Sequence, residues 1–74
     1  MSLDRAVWRN PERMSGALCF RGTRVTVSTL FDHLRANDLD AFYTDFPDVT
    51  PEAVQAVLDA SAKALDAAYQ EPAA

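Results

Sequence analysis

The segment Phe46-Pro47-Asp48-Val49-Thr50-Pro51 constrains this chain more than any other. Upstream of it, Leu39, Phe42, Tyr43 and Phe46 recur at i, i+3, i+4 and i+7, the apolar stripe of a short helix over 39–46. Pro47 lacks an amide hydrogen and its ring disfavours a helical Phe46, so that helix must stop there. Thr50 is placed to cap a second helix by accepting from a free N–H of its first turn, and Pro51 suits the first helical position. Glu52 adds negative charge near the positive end of the second helix dipole. Val49, just ahead of the cap, is expected to dip into the core as a staple. Two helices joined by so short a turn must cross, and a helix-turn-helix is the familiar form of that crossing.

The flanking pattern extends this pair. Val27, Leu30, Phe31 and Leu34 repeat the helical spacing, which predicts a first helix from near Val27 to about Ala36 with Thr26 or Ser28 as its cap. Asn37 suits a left-handed stop, and Asp38 can cap the next helix. The third helix starts at Pro51 and runs to about Ala68, with Val54, Val57, Leu58, Ser61, Leu65, Ala68 and Tyr69 as its stripe. Its second half is alanine-rich, so it either frays or packs on another subunit through small side chains. Ahead of the helices, residues 3–13 read as an arm with a short strand at 6–9 and a turn at Asn10-Pro11. Leu18-Cys19-Phe20 and Val25-Thr26-Val27 read as two more extended pieces, with Gly22 supplying a positive φ between them. Strands this short must pack on helices or pair with another chain.

The expected fold is mainly α: a three-helix core of homeodomain-like, helix-turn-helix type preceded by a short N-terminal β-element. It forms a single small domain, with arm and β-element over 5–27, helical core over 27–68 and a disordered tail over 70–74. With 74 residues the core is small, and such domains often draw stability from a partner. No apolar run reaches membrane-spanning length, and the N-terminus lacks the basic-then-apolar pattern of a signal peptide. The lone Cys19 cannot form an internal disulfide. These features predict a cytoplasmic protein.

Charge divides the chain. Residues 1–37 carry six arginines against Asp4, Glu12 and Asp32, a net +3, whereas residues 38–74 carry Lys63 against eight acids, a net −7. Two surfaces with different partners are one reading, and charge that merely keeps a small domain dissolved is the other.

The run Met14-Ser15-Gly16, then Cys19-Phe20-Arg21-Gly22-Thr23-Arg24-Val25, Val27, Leu30 and Leu34, and later Phe46-Pro47-Asp48-Val49-Thr50, resembles the bacterial family called domain of unknown function 433. The likeness spans roughly residues 7 to 62. Its marks are the Arg-Gly-Thr-Arg block before a helix and the aromatic-Pro-x-apolar-Thr turn. Ala17 and Leu18 stand where a lysine and a proline are common, and Thr26 where a proline is common; these positions govern loop stiffness and a helix start. The resemblance implies a homeodomain-like core, often dimeric, and for many members an antitoxin role in toxin–antitoxin pairs, the partner being a small PIN-like ribonuclease. It implies no catalytic residues.

Arg21 and Arg24 flank Gly22 and Thr23. Their forks suit a phosphate or carboxylate, and equally an internal tie from the turn to an acid of the helical half such as Asp45 or Asp48. The spacing is not that of a Walker phosphate loop. The helix from Pro51 sits where a DNA-reading helix would, but its exposed positions are Glu52, Gln55, Asp59, Lys63 and Asp66. DNA affinity requires cations on phosphate, so Arg5, Arg9 and Arg13 of the arm, with Arg21 and Arg24, must supply it, leaving Gln55 as the residue able to contact adenine. Asp38, Asp40, Asp45 and Asp48 lack the spacing of a calcium loop and read as caps and solvated groups, or as an acidic face that mimics nucleic acid before a basic ribonuclease cleft. His33 and Cys19 do not make a four-ligand zinc site. Trp8, Phe20, Phe31, Phe42 and Phe46 read as core, with Trp8 set apart as an anchor for the arm, packing on its own helices or on a second chain. No acid–base pair, activated nucleophile or cofactor motif appears, so the chain is expected to be no enzyme and to need no cofactor or metal. The leading expectation is an antitoxin-type, protein-binding module with DNA binding as a second role. The alternatives are a stand-alone DNA-binding regulator and a structural homodimer module.

Overall fold

A computed structural model describes residues 1–12 and 14–71. Among these the chain is mainly helical, with a short antiparallel sheet near its N-terminus: α1 (Leu3–Ala6), β1 (Val7–Arg9), a turn at Met14–Gly16, β2 (Leu18–Phe20), α2 (Val27–Arg35), α3 (Leu39–Asp45) and α4 (Pro51–Ala68). No helix among the described residues is long and apolar enough to cross a membrane.

The chain punctuation acts through specific atoms. Thr26 Oγ accepts from the amide of Thr29, Asp38 Oδ from that of Ala41 and Thr50 Oγ from that of Ala53, so each helix of the core has a side-chain cap. Asn37 takes φ 56° and ends α2, and Phe46 at φ −128° ends α3 before Pro47. Thr26 thus starts α2 through a side-chain hydrogen bond.

β1 and β2 pair with Val7 opposite Phe20, Trp8 opposite Cys19 and Arg9 opposite Leu18. The third extended piece expected over 25–27 is reduced to one bridge between Cys19 and Thr26, because Val27 already belongs to α2. The arm expected over 3–13 is also corrected at its start. Residues 3–6 form a single helical turn, α1, which packs against α4 and leaves Ala6 only 2% exposed. The tail expected over 70–74 lies partly outside the described residues, at 72–74; Gln70 and Glu71 follow α4 without regular structure.

The core gathers Val7 and Phe20 from the sheet, Leu30 from α2, Phe42 from α3, Val49 from the turn, and Ala53, Val54, Ala56 and Val57 from α4. Phe42 and Leu30 are fully enclosed, and the Phe42 ring meets Phe20 at 6.0 Å, His33 at 5.4 Å and Phe46 at 5.3 Å between centroids. Val49 is 3% exposed, which places the staple inside. Trp8, read as core, is instead half-buried and donates from Nε1 to the Thr23 carbonyl at 3.3 Å.

The second half of α4 leaves the core. Its hydrogen bonding runs on to the end, where the Tyr69 amide bonds the Leu65 carbonyl. Eighteen residues make a helix about 27 Å long. Its end projects, giving extents of 47 × 30 × 22 Å and a radius of gyration of 13.9 Å, against about 11 Å for a compact chain of this length.

Candidate interaction surfaces

The Arg-Gly-Thr-Arg block is a folded clasp. Gly22 adopts φ +77°, the left-handed conformation that a residue with a Cβ resists. Thr23 Oγ donates to the Phe20 carbonyl at 2.8 Å and accepts from the Val25 amide at 3.0 Å. The Phe20 amide in turn bonds the Val25 carbonyl.

Arg21 faces the other way. Its Nε donates to the Asp4 carbonyl at 2.8 Å, its second guanidinium nitrogen to the Val7 carbonyl at 3.0 Å, and its amide to the Ala6 carbonyl. The fork therefore closes the open carboxyl end of α1, where unpaired carbonyls and the negative dipole end attract a cation. Among the described residues neither arginine of the block pairs with Asp45 or Asp48; Arg21 donates to backbone carbonyls instead. No sequence pattern betrays this, since the acceptors are backbone carbonyls.

The other expected contact residues are scattered. Arg5 is exposed on α1, and Arg24 is exposed in the clasp. Arg9 is exposed at the end of β1 and donates to the Gly16 carbonyl at 3.0 Å. Arg13 lies outside the described residues. Gln55 is exposed on α4, its Nε2 held by Asp59 at 2.9 Å. The structure thus ties Arg21 and Gln55 into internal bonds.

The helical half is acidic over its surface. Asp38, Asp40, Asp45, Asp48, Glu52, Asp59, Asp66 and Glu71 are all exposed. The ion pair found among the described residues, Asp32 with Arg35 at 2.9 Å, belongs to the other half. Two of these acids have local tasks, Asp38 as a cap and Asp59 as the acceptor of Gln55. Among the described residues no three His, Cys, Asp or Glu converge as metal ligands. Tyr43, packed at the edge of the core, has its phenol pushed above the ordinary value of 10.0 by burial and then by the nearby Glu52 carboxylate. His33 is half-buried, with Nδ1 2.8 Å from the Thr29 carbonyl and its ring edge-on to Phe42 and Phe46. Cys19 is buried and unpaired with any other cysteine.

Among the described residues, two apolar surfaces stand open. Ala62, Leu65 and Tyr69 form a ridge on the projecting end of α4, with Leu65 71% and Tyr69 67% exposed and Asp66 at the border. Between the strand region and α2 lies a groove of about 520 Å³ floored by Leu18, Val27 and Phe31, with Arg9 and Ser28 on its rim. The sequence placed Leu65 and Tyr69 on one stripe with Val54 and Val57, but did not show that the core ends first.

Residues 7–59 match the model of the DUF433 family, described as proteins of unknown function. The chain belongs to the DUF433 family. Comparison with curated proteins and with solved structures returns no match. The family match covers the clasp, the capped helices and the 46–50 turn, and ends inside α4 where the helix leaves the core.

Proposed function

We propose that this DUF433 chain is an antitoxin-type, protein-binding module with a homeodomain-like, helix-turn-helix core, and that it neutralises a small PIN-like ribonuclease in the cytoplasm. The observation that carries this reading is the acidic surface of residues 38–71, where exposed carboxylates outnumber cations eight to one. A ribonuclease must hold RNA phosphates with basic side chains. An acidic surface offers that cleft the same charge as its substrate, steers the two proteins together and disfavours nucleic acid itself. The antitoxin role and the class of partner come from the family resemblance; the charge makes them physically coherent.

The same surface argues against α4 as a DNA-reading helix, because phosphate would meet Glu52, Asp59 and Asp66. Exposed Arg5 and Arg24 favour a secondary, autoregulatory DNA contact by the opposite half of the molecule.

The test is gentle affinity purification from the native host with mass spectrometry, followed by an RNA-cleavage assay on the recovered pair. The expected result is a PIN-like ribonuclease at comparable amount, silent in the complex. Asp45→Lys with Asp48→Lys should weaken binding, most at low salt. Recovery of the chain without a ribonuclease, or a complex that cleaves RNA as fast as the free enzyme, would overturn the reading.

A further inference from the structure

The open ridge and the open groove are complementary. The ridge is apolar with an acid at its border: Ala62, Leu65 and Tyr69 with Asp66. The groove is apolar with a cation on its rim: Leu18, Val27 and Phe31 with Arg9. Arg9 is already held in place there by its bond to the Gly16 carbonyl. The ridge belongs to the half of the chain with net charge −7 and the groove to the half with net charge +3.

We infer that the projecting end of α4 seats in the Leu18–Val27–Phe31 groove of a second copy of this chain, with Asp66 facing the second copy's Arg9. A helix that is apolar on most sides is stable when covered, and here only Ser61, Lys63 and Asp66 interrupt the run from Ala60 to Tyr69, the Ser61 hydroxyl being turned back onto the Val57 carbonyl. Charge selects the occupant. Laying two α4 ends side by side would bring Asp59 and Asp66 of both copies together, with only Lys63 of each to offset them. Seating the ridge on the groove joins the acidic half of one copy to the basic half of the next. Tyr69 and Leu65 then act as the anchors that fill the pocket, and the Arg9–Asp66 pair fixes register. Because the two surfaces are unlike, each copy offers one of each, and reciprocal exchange closes a dimer or a larger ring. The acidic surface of α3 and the 46–50 turn remains outside the contact and available to another protein.

The experiment uses the purified chain alone, so its outcome does not depend on any ribonuclease. Analytical ultracentrifugation across a concentration series should show a dimer or closed ring. Leu65→Glu, at a site already exposed, and Ser28→Trp, which fills the groove from an exposed position, should each dissociate it, raising the dissociation constant at least about tenfold. Circular dichroism reports whether each variant stays folded. Mixing the two variants should restore a heterodimer, since one intact ridge then meets one intact groove. Arg9→Glu should weaken assembly, and Arg9→Glu with Asp66→Arg should recover it. A wild-type chain that stays monomeric overturns the inference. So does an assembly indifferent to Ser28→Trp, because that result would mean ridge packed on ridge.

Discussion

The guanidinium of Arg21 donates to the backbone carbonyl of Asp4 at 2.8 Å, across 17 positions of sequence. With its second bond to Val7, it fixes α1 onto the body of the molecule. Arg21→Ala should therefore cost about 1–2 kcal/mol of stability, the worth of a charge-assisted bond that is only partly shielded from water. Hydrogen exchange should quicken first at the amides of Arg5 and Ala6, which close the α1 turn. Arg21→Lys keeps the charge but loses the fork and should recover less than half of the loss. Unchanged exchange in Arg21→Ala would show that α4 alone holds α1.

Phe42 is the residue on which the core turns. It is fully buried and contacts rings from the sheet, α2 and α3. Phe42→Ala should cost about 3–5 kcal/mol through lost burial and the cavity left behind. A domain of this size has about 4–11 kcal/mol in total, so the loss takes from about a quarter to all of it, a marked fall or disappearance of the cooperative melting transition that calorimetry reads directly. Phe42→Leu should fold with a lowered melting temperature.

The helix caps can be tested as a pair. Thr26→Ala removes the acceptor for the Thr29 amide and Thr50→Ala that for the Ala53 amide, each at a cost of about 1 kcal/mol. The two sites share no bonding partner, so the double variant should lose the sum to within about 0.5 kcal/mol in chemical denaturation. Thr50→Asp should restore most of the second loss. Thr26→Ala has a further effect, because Thr26 Oγ also bonds Thr29 Oγ at 2.8 Å.

The contrast between legible and hidden features follows from what each rests on. Thr26, Asp38, Thr50, Asn37 and Pro47 act on their own backbone neighbourhood, so local chemistry foretold three helices and their ends to within a residue. α1 escaped notice because four residues are too few for a helical period, and its stability comes from Arg21 and α4 rather than from its own composition. Arg21 was recognised as a fork, yet its acceptors are carbonyls that leave no mark in the residue types. The α4 stripe runs on to Tyr69 in the sequence, but its burial stops near Val57 because, among the described residues, no element lies beside the second half. The acidic half, by contrast, was plain from counting, since exposed carboxylates need no fold to be seen.

Tyr43 gives a pH dependence with a definite sign. Burial, and then the Glu52 carboxylate, raise its phenol above 10.0 in the folded chain. The folded state therefore holds the proton more tightly than the unfolded state. That contribution is fully present below pH 10 and is lost as pH rises through the folded value. Tyr69→Phe leaves Tyr43 as the one tyrosine, so ultraviolet titration of phenolate should report an inflection above 10.0. Adding Glu52→Gln should move the inflection down but not back to 10.0, because burial is the larger cause. An inflection at or below 10.0 in the folded Tyr69→Phe chain would contradict the packing of Tyr43 on the core.

Duplex DNA should bind weakly and through the basic half. Of the arginines among the described residues, Arg21 is committed to α1, Arg35 to Asp32 and Arg9 to the Gly16 carbonyl, which leaves Arg5 and Arg24 exposed to phosphate. Each neutralised phosphate contributes about −0.9 to the slope of log affinity against log salt, so two contacts give a slope near −2 per chain. Arg24→Ala should make that slope shallower by about one contact at every sequence tested, whereas Lys63→Ala and Gln55→Ala should leave both slope and sequence preference unchanged. Fluorescence anisotropy over a salt series measures all of these. A marked loss of affinity on changing Gln55 or Lys63 would place DNA against α4 despite Glu52, Asp59 and Asp66, and would mean that the acidic surface is compensated by cations from a neighbouring copy.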